Sequence, residues 1–409
     1  MMEQLFSKID EVIIRQKYLQ NIDKVLDLGL INIIVGPRRV GKSCFLYSVI
    51  DYLIKNTKLK KTQIFYVNKE WREFDNVKTY NDLVDLFEKS NINTNEIFFV
   101  GLDEIQEVEG FEKFVLDIFS KYKKAKVYVT GSNSKLLSSK YATLLSGRYR
   151  EQIIYPLTFE EFLQFSKKEA NKKTFYEYLE FGGLPKIPLI NDTSLRYDYL
   201  NGIYNTVFTK DVVEFFGIRN VSLLRKINMY LFKELGNYFT AQNIKKYFKS
   251  QDIKVSVDTV LNYLDYSKSA FLFNDIQRYD LKGKKTLEIN SKIYAFDLGI
   301  RNAIAGFSPV SDIEKLLELV VLNHLLADGY DVKVGNMQDK EIDFIAKKDN
   351  EIKYIQVCYL LSSKDVVDRE FGNLLAIKDN YEKIVLSLDD FVNSDYKGIK
   401  HYNILDWII

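Results

Sequence analysis

Eight consecutive residues, Gly36-Pro37-Arg38-Arg39-Val40-Gly41-Lys42-Ser43, constrain this chain more than any other stretch. An apolar, β-branched run, Leu30 to Val35 (LINIIV), precedes them and reads as a buried parallel strand. Cys44 to Ile54 follows with helical periodicity. A strand that enters a GxxxxGK[ST] loop and leaves as a helix is built to hold phosphate. The glycines let backbone N–H groups turn inward, and the helix adds its positive N-terminal end. Residues 36 to 44 are therefore the expected ATP-binding loop. Within it, Lys42 is expected to reach the β- and γ-phosphates, and the Ser43 hydroxyl to bind Mg²⁺.

The rest of an ATPase core is legible downstream. Gln63 to Asn68 (QIFYVN) is a second strand, and Ile97 to Leu102 (IFFVGL) a third that ends in Asp103-Glu104. That pair is the pattern of a metal-holding aspartate followed by a glutamate that polarises the attacking water. A fourth strand, Lys126 to Thr130, runs into Gly131-Ser132-Asn133-Ser134. Either Ser132 or Asn133 senses the γ-phosphate there, or these residues serve only as turn chemistry. Arg148, in Gly147-Arg148-Tyr149-Arg150, is the candidate arginine finger, acting in cis or from a neighbouring subunit.

At 409 residues the chain exceeds one ordinary core. Its 46% apolar and 28% charged content is that of a globular protein. A net charge of +2 excludes a polycation, so any nucleic-acid surface must be local. Cys44 and Cys358, far apart and in no Cys/His cluster, argue against a disulfide or structural zinc and fit a cytoplasmic setting. No apolar run is long enough for a membrane helix; Leu316 to Ala327 is broken by Glu318, Asn323 and His324.

Beyond the core, Pro156 opens a helical stretch expected to run to about Leu179, with a capping box at Thr158 and Glu161. Phe181-Gly182-Gly183-Leu184-Pro185 marks a loop or hinge, and a further helical region covers roughly Ser194 to Phe216. Residues 156–220 are thus expected to be a helical lid or linker. Helices over Leu223 to Gly236, Thr240 to Lys249 and Ser256 to Ser269 then precede two strand-like runs, Phe271 to Tyr279 and Thr286 to Ala295. That order predicts a winged helix over 221–295. Between Thr240 and Lys292 there are 10 basic and 6 acidic residues, a mildly basic balance that suits DNA. The third helix, expected in the major groove, offers no arginine to read guanine.

Residues 296–409 run α-β-β-β-α-β, the order of a restriction-endonuclease-like core of the PD-(D/E)xK type. Glu318, Asp343 and Gln356 stand at its site positions. Cleavage would need a second acid and, two residues on, a lysine to stabilise developing charge. Gln356 and Cys358 occupy those two places. Lys353 or Lys364 would have to reach in from elsewhere, so a degenerate site, without nuclease activity, is expected.

Several motifs together carry a family resemblance: GPRRVGKS, DEIQ (Asp103 to Gln106), VTGSNSKLLS, LSGRY, YPLTFEEFL, FGGLPKI, IYAFDLGIRNAI, KEIDFIA and YIQVCY. The chain resembles AAA-superfamily ATPases of bacteria and archaea that carry an uncharacterised C-terminal domain. The resemblance implies an α/β P-loop NTPase parallel sheet over 1–155, then the winged helix and the nuclease-like α/β domain. It implies an ATPase using ATP and Mg²⁺; the mildly basic winged helix suggests DNA as partner, a protein partner or a homo-oligomer is the alternative, and no membrane is expected.

Overall fold

The computed structural model describes residues 2–134, 145, 147–337, 340–390 and 395–409. Contacts divide the chain into two compact units, Met1–Ile154 and Tyr155–Ile409.

The first unit is built on five parallel strands: β1 (Ile31–Val35), β2 (Ile64–Asn68), β3 (Phe98–Asp103), β4 (Ala125–Gly131) and β5 (Tyr149–Ile153). Their order is β2-β3-β4-β1-β5. Every residue of β1, β2 and β3 is buried, which is why they read as continuous apolar runs and not as alternations. Parallel strands need crossovers, and helices Lys42–Asn56, Tyr80–Lys89 and Phe111–Lys121 supply them. One consequence fixes the site. β4 lies between β1 and β3, so the ends of the phosphate-loop strand and the acidic strand flank the end of β4.

The second unit contains an eight-stranded mixed sheet, with strands β6 (Phe273–Asp280), β7 (Lys285–Ala295), β8 (Asp331–Met337), β9 (Lys340–Lys348), β10 (Glu351–Val357), β11 (Glu382–Ser387), β12 (Asp395–Tyr396) and β13 (Ile399–Asn403). The order is β12-β13-β11-β10-β9-β8-β6-β7. The β6–β7 hairpin, expected as the wing of a winged helix, also forms one edge of this sheet. β6 pairs in parallel with β8, Arg278 to Asp280 against Val334 to Asn336. The backbone groups along that side of β6 gain ladder partners that a solitary hairpin lacks. Residues 156–220, 221–295 and 296–409 are therefore not separated here by breaks in packing. A single apolar core runs through all three, from Phe159 through Leu231 and Tyr294 to Ile408.

Two local expectations also change. The stretch from Pro156 is two helices, Phe159–Ser166 and Lys172–Phe181. Lys167 turns left-handed (φ 55°), and the Asn171 side chain caps the second helix on the Thr174 N–H. The capping box at Thr158 and Glu161 forms as expected. Downstream, helix Thr193–Thr206 continues as a π-helix over Val207–Glu214. Among the described residues no helix is long and apolar enough to cross a membrane.

Candidate active site

Gly36 (φ 150°) and Gly41 (φ 100°) take backbone conformations that side chains disfavour, and a Cβ on Gly36 would lie 2.5 Å from the Ile154 carbonyl oxygen. Between them Pro37 and Val40 are buried, Arg38 is half-buried and Arg39 is exposed with φ 64°. Helix Lys42–Asn56 begins at once, with no acidic residue in its first turn to compete for an anion. Cys44 sits in that turn, exposed.

The Lys42 side chain is 3% exposed and curls back over the loop. Its ammonium donates to the carbonyls of Gly36 (3.1 Å) and Pro37 (3.0 Å) and pairs with Glu104 at 3.0 Å. Arg38 stands 3.9 Å from Glu70.

Asp103 is fully buried at the end of β3. Neutral groups donate to it: the Tyr66 hydroxyl at 2.5 Å, Asn68 Nδ2 at 2.8 Å, the Thr130 hydroxyl at 2.5 Å, and Ser43. Burial and the adjacent Glu104 charge push its pKa up, against the pull of those hydrogen bonds. A buried, electron-rich carboxylate touching a serine hydroxyl fits a hard divalent cation. Ser43 and Asp103 would hold Mg²⁺ here, and the cation would offset the desolvation.

Glu104 is held in the left-handed region, φ 51° and ψ 43°, uncommon for a residue with a side chain. Its N–H donates to the Thr130 hydroxyl at 2.9 Å, and Gln106 donates to its carboxylate at 2.9 Å. Burial raises its pKa, but the Lys42 charge and the Gln106 and Lys42 hydrogen bonds outweigh that, and the net shift is downward.

Tyr66, Asn68, Gln106 and Thr130 were not foreseen as site residues. Asn68 and Thr130 lie at or next to strand ends, Gln106 belongs to the DEIQ motif, and Tyr66 lies within β2; only those positions hinted at them. Thr130 ties both acids together, so Thr130→Val should lower kcat for ATP about 10-fold or more with little change in KM. It leaves the buried Glu104 N–H unpaired, at a cost of about 1–3 kcal/mol. Thr130→Ser should restore both, as steady-state kinetics and thermal melts would read.

Of the expected sensors, Asn133 is buried, and the Ser132 hydroxyl is buried without a hydrogen-bond partner among the described residues. Residues 135–144 and 146 of the VTGSNSKLLS and LSGRY motifs lie outside the described residues. Arg148 is placed differently from a cis finger. Its carbonyl accepts from Ile31 N–H, at the start of β1, whereas the phosphate loop leaves the other end of that strand. Four residue steps at roughly 3.3 Å each separate those ends, so Arg148 cannot serve its own chain's phosphates.

In the second unit the structure brings Glu318, Asp343 and Gln356 together. Gln356 accepts from Asp343 N–H at 3.1 Å. Burial and the Glu318 charge push Asp343 well up, and burial likewise raises Glu318 despite Lys292. Neither lysine foreseen as a substitute cation is engaged there: Lys353 pairs with Glu351 and Glu382, and Lys364 is exposed at a helix start.

A family model described as an AAA domain matches residues 29–163, and one described as a domain of unknown function matches 172–311. An uncharacterized protein of Haemophilus influenzae is 34% identical over 97% of this chain and 99% of its own length. An uncharacterized protein of Methanocaldococcus jannaschii is 32% identical over 85% of this chain and 79% of its own. Among solved structures, a Walker-type ATPase of Pyrococcus abyssi aligns over 72% of this chain and 96% of its own. The TM-score is 0.52 and the identity 14%, a likeness of fold.

Proposed function

The chain belongs to the AAA-superfamily P-loop ATPases, and from that membership we propose that it hydrolyses ATP with Mg²⁺ at the site formed by residues 36–44, Asp103 and Glu104. The observation that carries the reading is the convergence of Lys42 on Glu104 and of Ser43 on Asp103 at the mouth of the phosphate loop.

The loop N–H groups and Lys42 bind the phosphates. Ser43 and Asp103 would hold Mg²⁺, which would supply charge neutralisation at the transferring group. Glu104 orients the attacking water and takes its proton. Phosphate and Glu104 compete for one ammonium, so engagement of Lys42 by substrate removes the charge that depresses the Glu104 pKa and strengthens it as a base. Ser132, with its orphan hydroxyl, and Asn133 are the sensor candidates. Arg148 is a finger only for a neighbouring copy in a homo-oligomer.

The second unit reads as a helical segment (156–220), a winged helix (221–295) and a degenerate nuclease-like region (296–409) that couple nucleotide state to DNA in the cytoplasm. Exposed Lys245, Lys246 and Lys249 on the second helix, Lys254 in the loop after it, and Lys282, Lys284 and Lys285 at the hairpin tip support phosphate contact. The outward face of the third helix favours a protein partner instead. It carries Asp258, Asp265 and Leu261, the last 42% exposed, which suit phosphate poorly.

Steady-state hydrolysis with and without duplex DNA tests both parts. Lys42→Ala should abolish Mg²⁺-dependent turnover. Stimulation by DNA that fades with salt supports the DNA reading; indifference to DNA at every salt concentration moves it to the protein partner.

A further inference from the structure

Lys292 lies on β7, in the hairpin, and is 5% exposed. Its ammonium is 2.6 Å from Glu341 Oε1 and 3.7 Å from Glu318 Oε2. Two residues on, the Tyr294 hydroxyl donates to Glu318 at 2.6 Å. Tyr238, bridged to Lys292 through the backbone, donates its hydroxyl to Glu341, and its ring lies 5.7 Å from the ammonium.

Other polar atoms around the centre are also engaged. Asp343 Oδ2 accepts from Val357 N–H at 2.8 Å. Gln356 spends its carbonyl oxygen on Asp343 N–H and its amino group on Glu370, at 3.0 Å. Arg369 covers Glu370 at 2.6 Å. A working nuclease of this order would hold Mg²⁺ among these carboxylates, and the residues present do not fit it. A divalent ion would sit 2.0–2.6 Å from the oxygens. The lysine ammonium already stands 2.6 Å from Glu341 and 3.7 Å from Glu318, and its charge repels a second cation there.

We propose that Lys292 is the built-in counter-cation of the Glu318–Glu341–Asp343 centre and keeps it free of metal. The carboxylates, buried or half-buried, need a positive partner. A lysine from the hairpin supplies it covalently, as part of the sheet, and so fastens β7 to β9 and to helix Ile313–Ala327. The centre does the work of an ion-pair clamp and not of a hydrolytic site.

The test uses the full chain without nucleotide and Mn²⁺ as probe, followed by electron paramagnetic resonance and thermal melts. Asp103→Asn is carried throughout to silence the first unit. Wild-type Lys292 should give no Mn²⁺ binding sensitive to Glu341→Gln. Lys292→Met should melt lower, bind Mn²⁺ at least about 10-fold more tightly, and regain melting temperature as Mn²⁺ is added. Lys292→Arg should behave as wild type. Mn²⁺ binding with Lys292 in place that is lost in Glu341→Gln would overturn the proposal, even if Lys292→Met fails to fold. So would Mg²⁺-dependent DNA cutting, with Asp103 intact, that both Lys292→Met and Asp343→Asn abolish.

Discussion

Glu104→Gln is expected to lower kcat for ATP hydrolysis by roughly 10²–10⁴-fold, the usual yield of a positioned general base. ATP binding should change little, because the loop N–H groups and Lys42 are left in place. The amide keeps the shape of the carboxylate, and its oxygen still accepts from Lys42 or Gln106, which now bond separate oxygens. It cannot take a proton from water. A fluorescent nucleotide titration beside steady-state kinetics separates the two effects. Near-normal kcat in the variant would place the base elsewhere. Because the net pKa shift of Glu104 is downward, the acid limb of kcat/KM should fall below the ordinary value of 4.5.

The largest stability effect is expected at the junction of the Phe181-Gly182-Gly183 loop with helix Leu298–Ala305. A Cβ on Gly299 would lie 2.0 Å from the Phe181 carbonyl oxygen, a contact between backbones that no rotamer change relieves. Gly299→Ala should therefore cost about 3 kcal/mol or more, at or above the usual range for overpacking.

Asp297 closes the same junction. It is buried and accepts from the N–H groups of Gly183 and Ile300, each at 2.9 Å. Burial raises its pKa to about 6, against 3.8 for the free group. A pKa raised on folding means the stability tied to this group is complete below pH 3.8 and is lost as pH rises through about 6. Its full span is roughly 3 kcal/mol. Asp297→Asn should flatten that part of the denaturant-midpoint profile between pH 4 and 6, leaving the slope from the similarly raised Glu318 and Asp343. If the slope is unchanged, Asp297 does not carry the pH dependence.

The junction also shows how sequence and structure divide the information. FGGLPKI and IYAFDLGIRNAI stood out as motifs, yet the helix Leu298–Ala305 and its packing on Phe181 were not foreseen. Both follow from segments more than a hundred residues apart meeting in space. The pairing of the β6–β7 hairpin with β8 was unforeseen for a related reason. A hairpin's local signals set its turn and alternation, but which strand covers its edge depends on β8, some fifty residues away.

The phosphate loop, by contrast, was determined by the sequence alone. Its glycines, lysine and serine act through local backbone geometry, and a buried strand before a helix is a short-range pattern. The Asp103-Glu104 pair was readable because an apolar strand ending in two acids is likewise local. The tertiary structure decided what surrounds them: Tyr66 and Asn68 from β2, and Thr130 from β4, arrive only through the strand order β2-β3-β4-β1-β5. It also decided that Arg148 lies just before β5, at the end of the strands opposite the phosphate loop, and that Lys292, not Lys353 or Lys364, faces the carboxylates. Hydrogen bonds and ion pairs between distant segments depend on sheet order and register, and no local pattern encodes either.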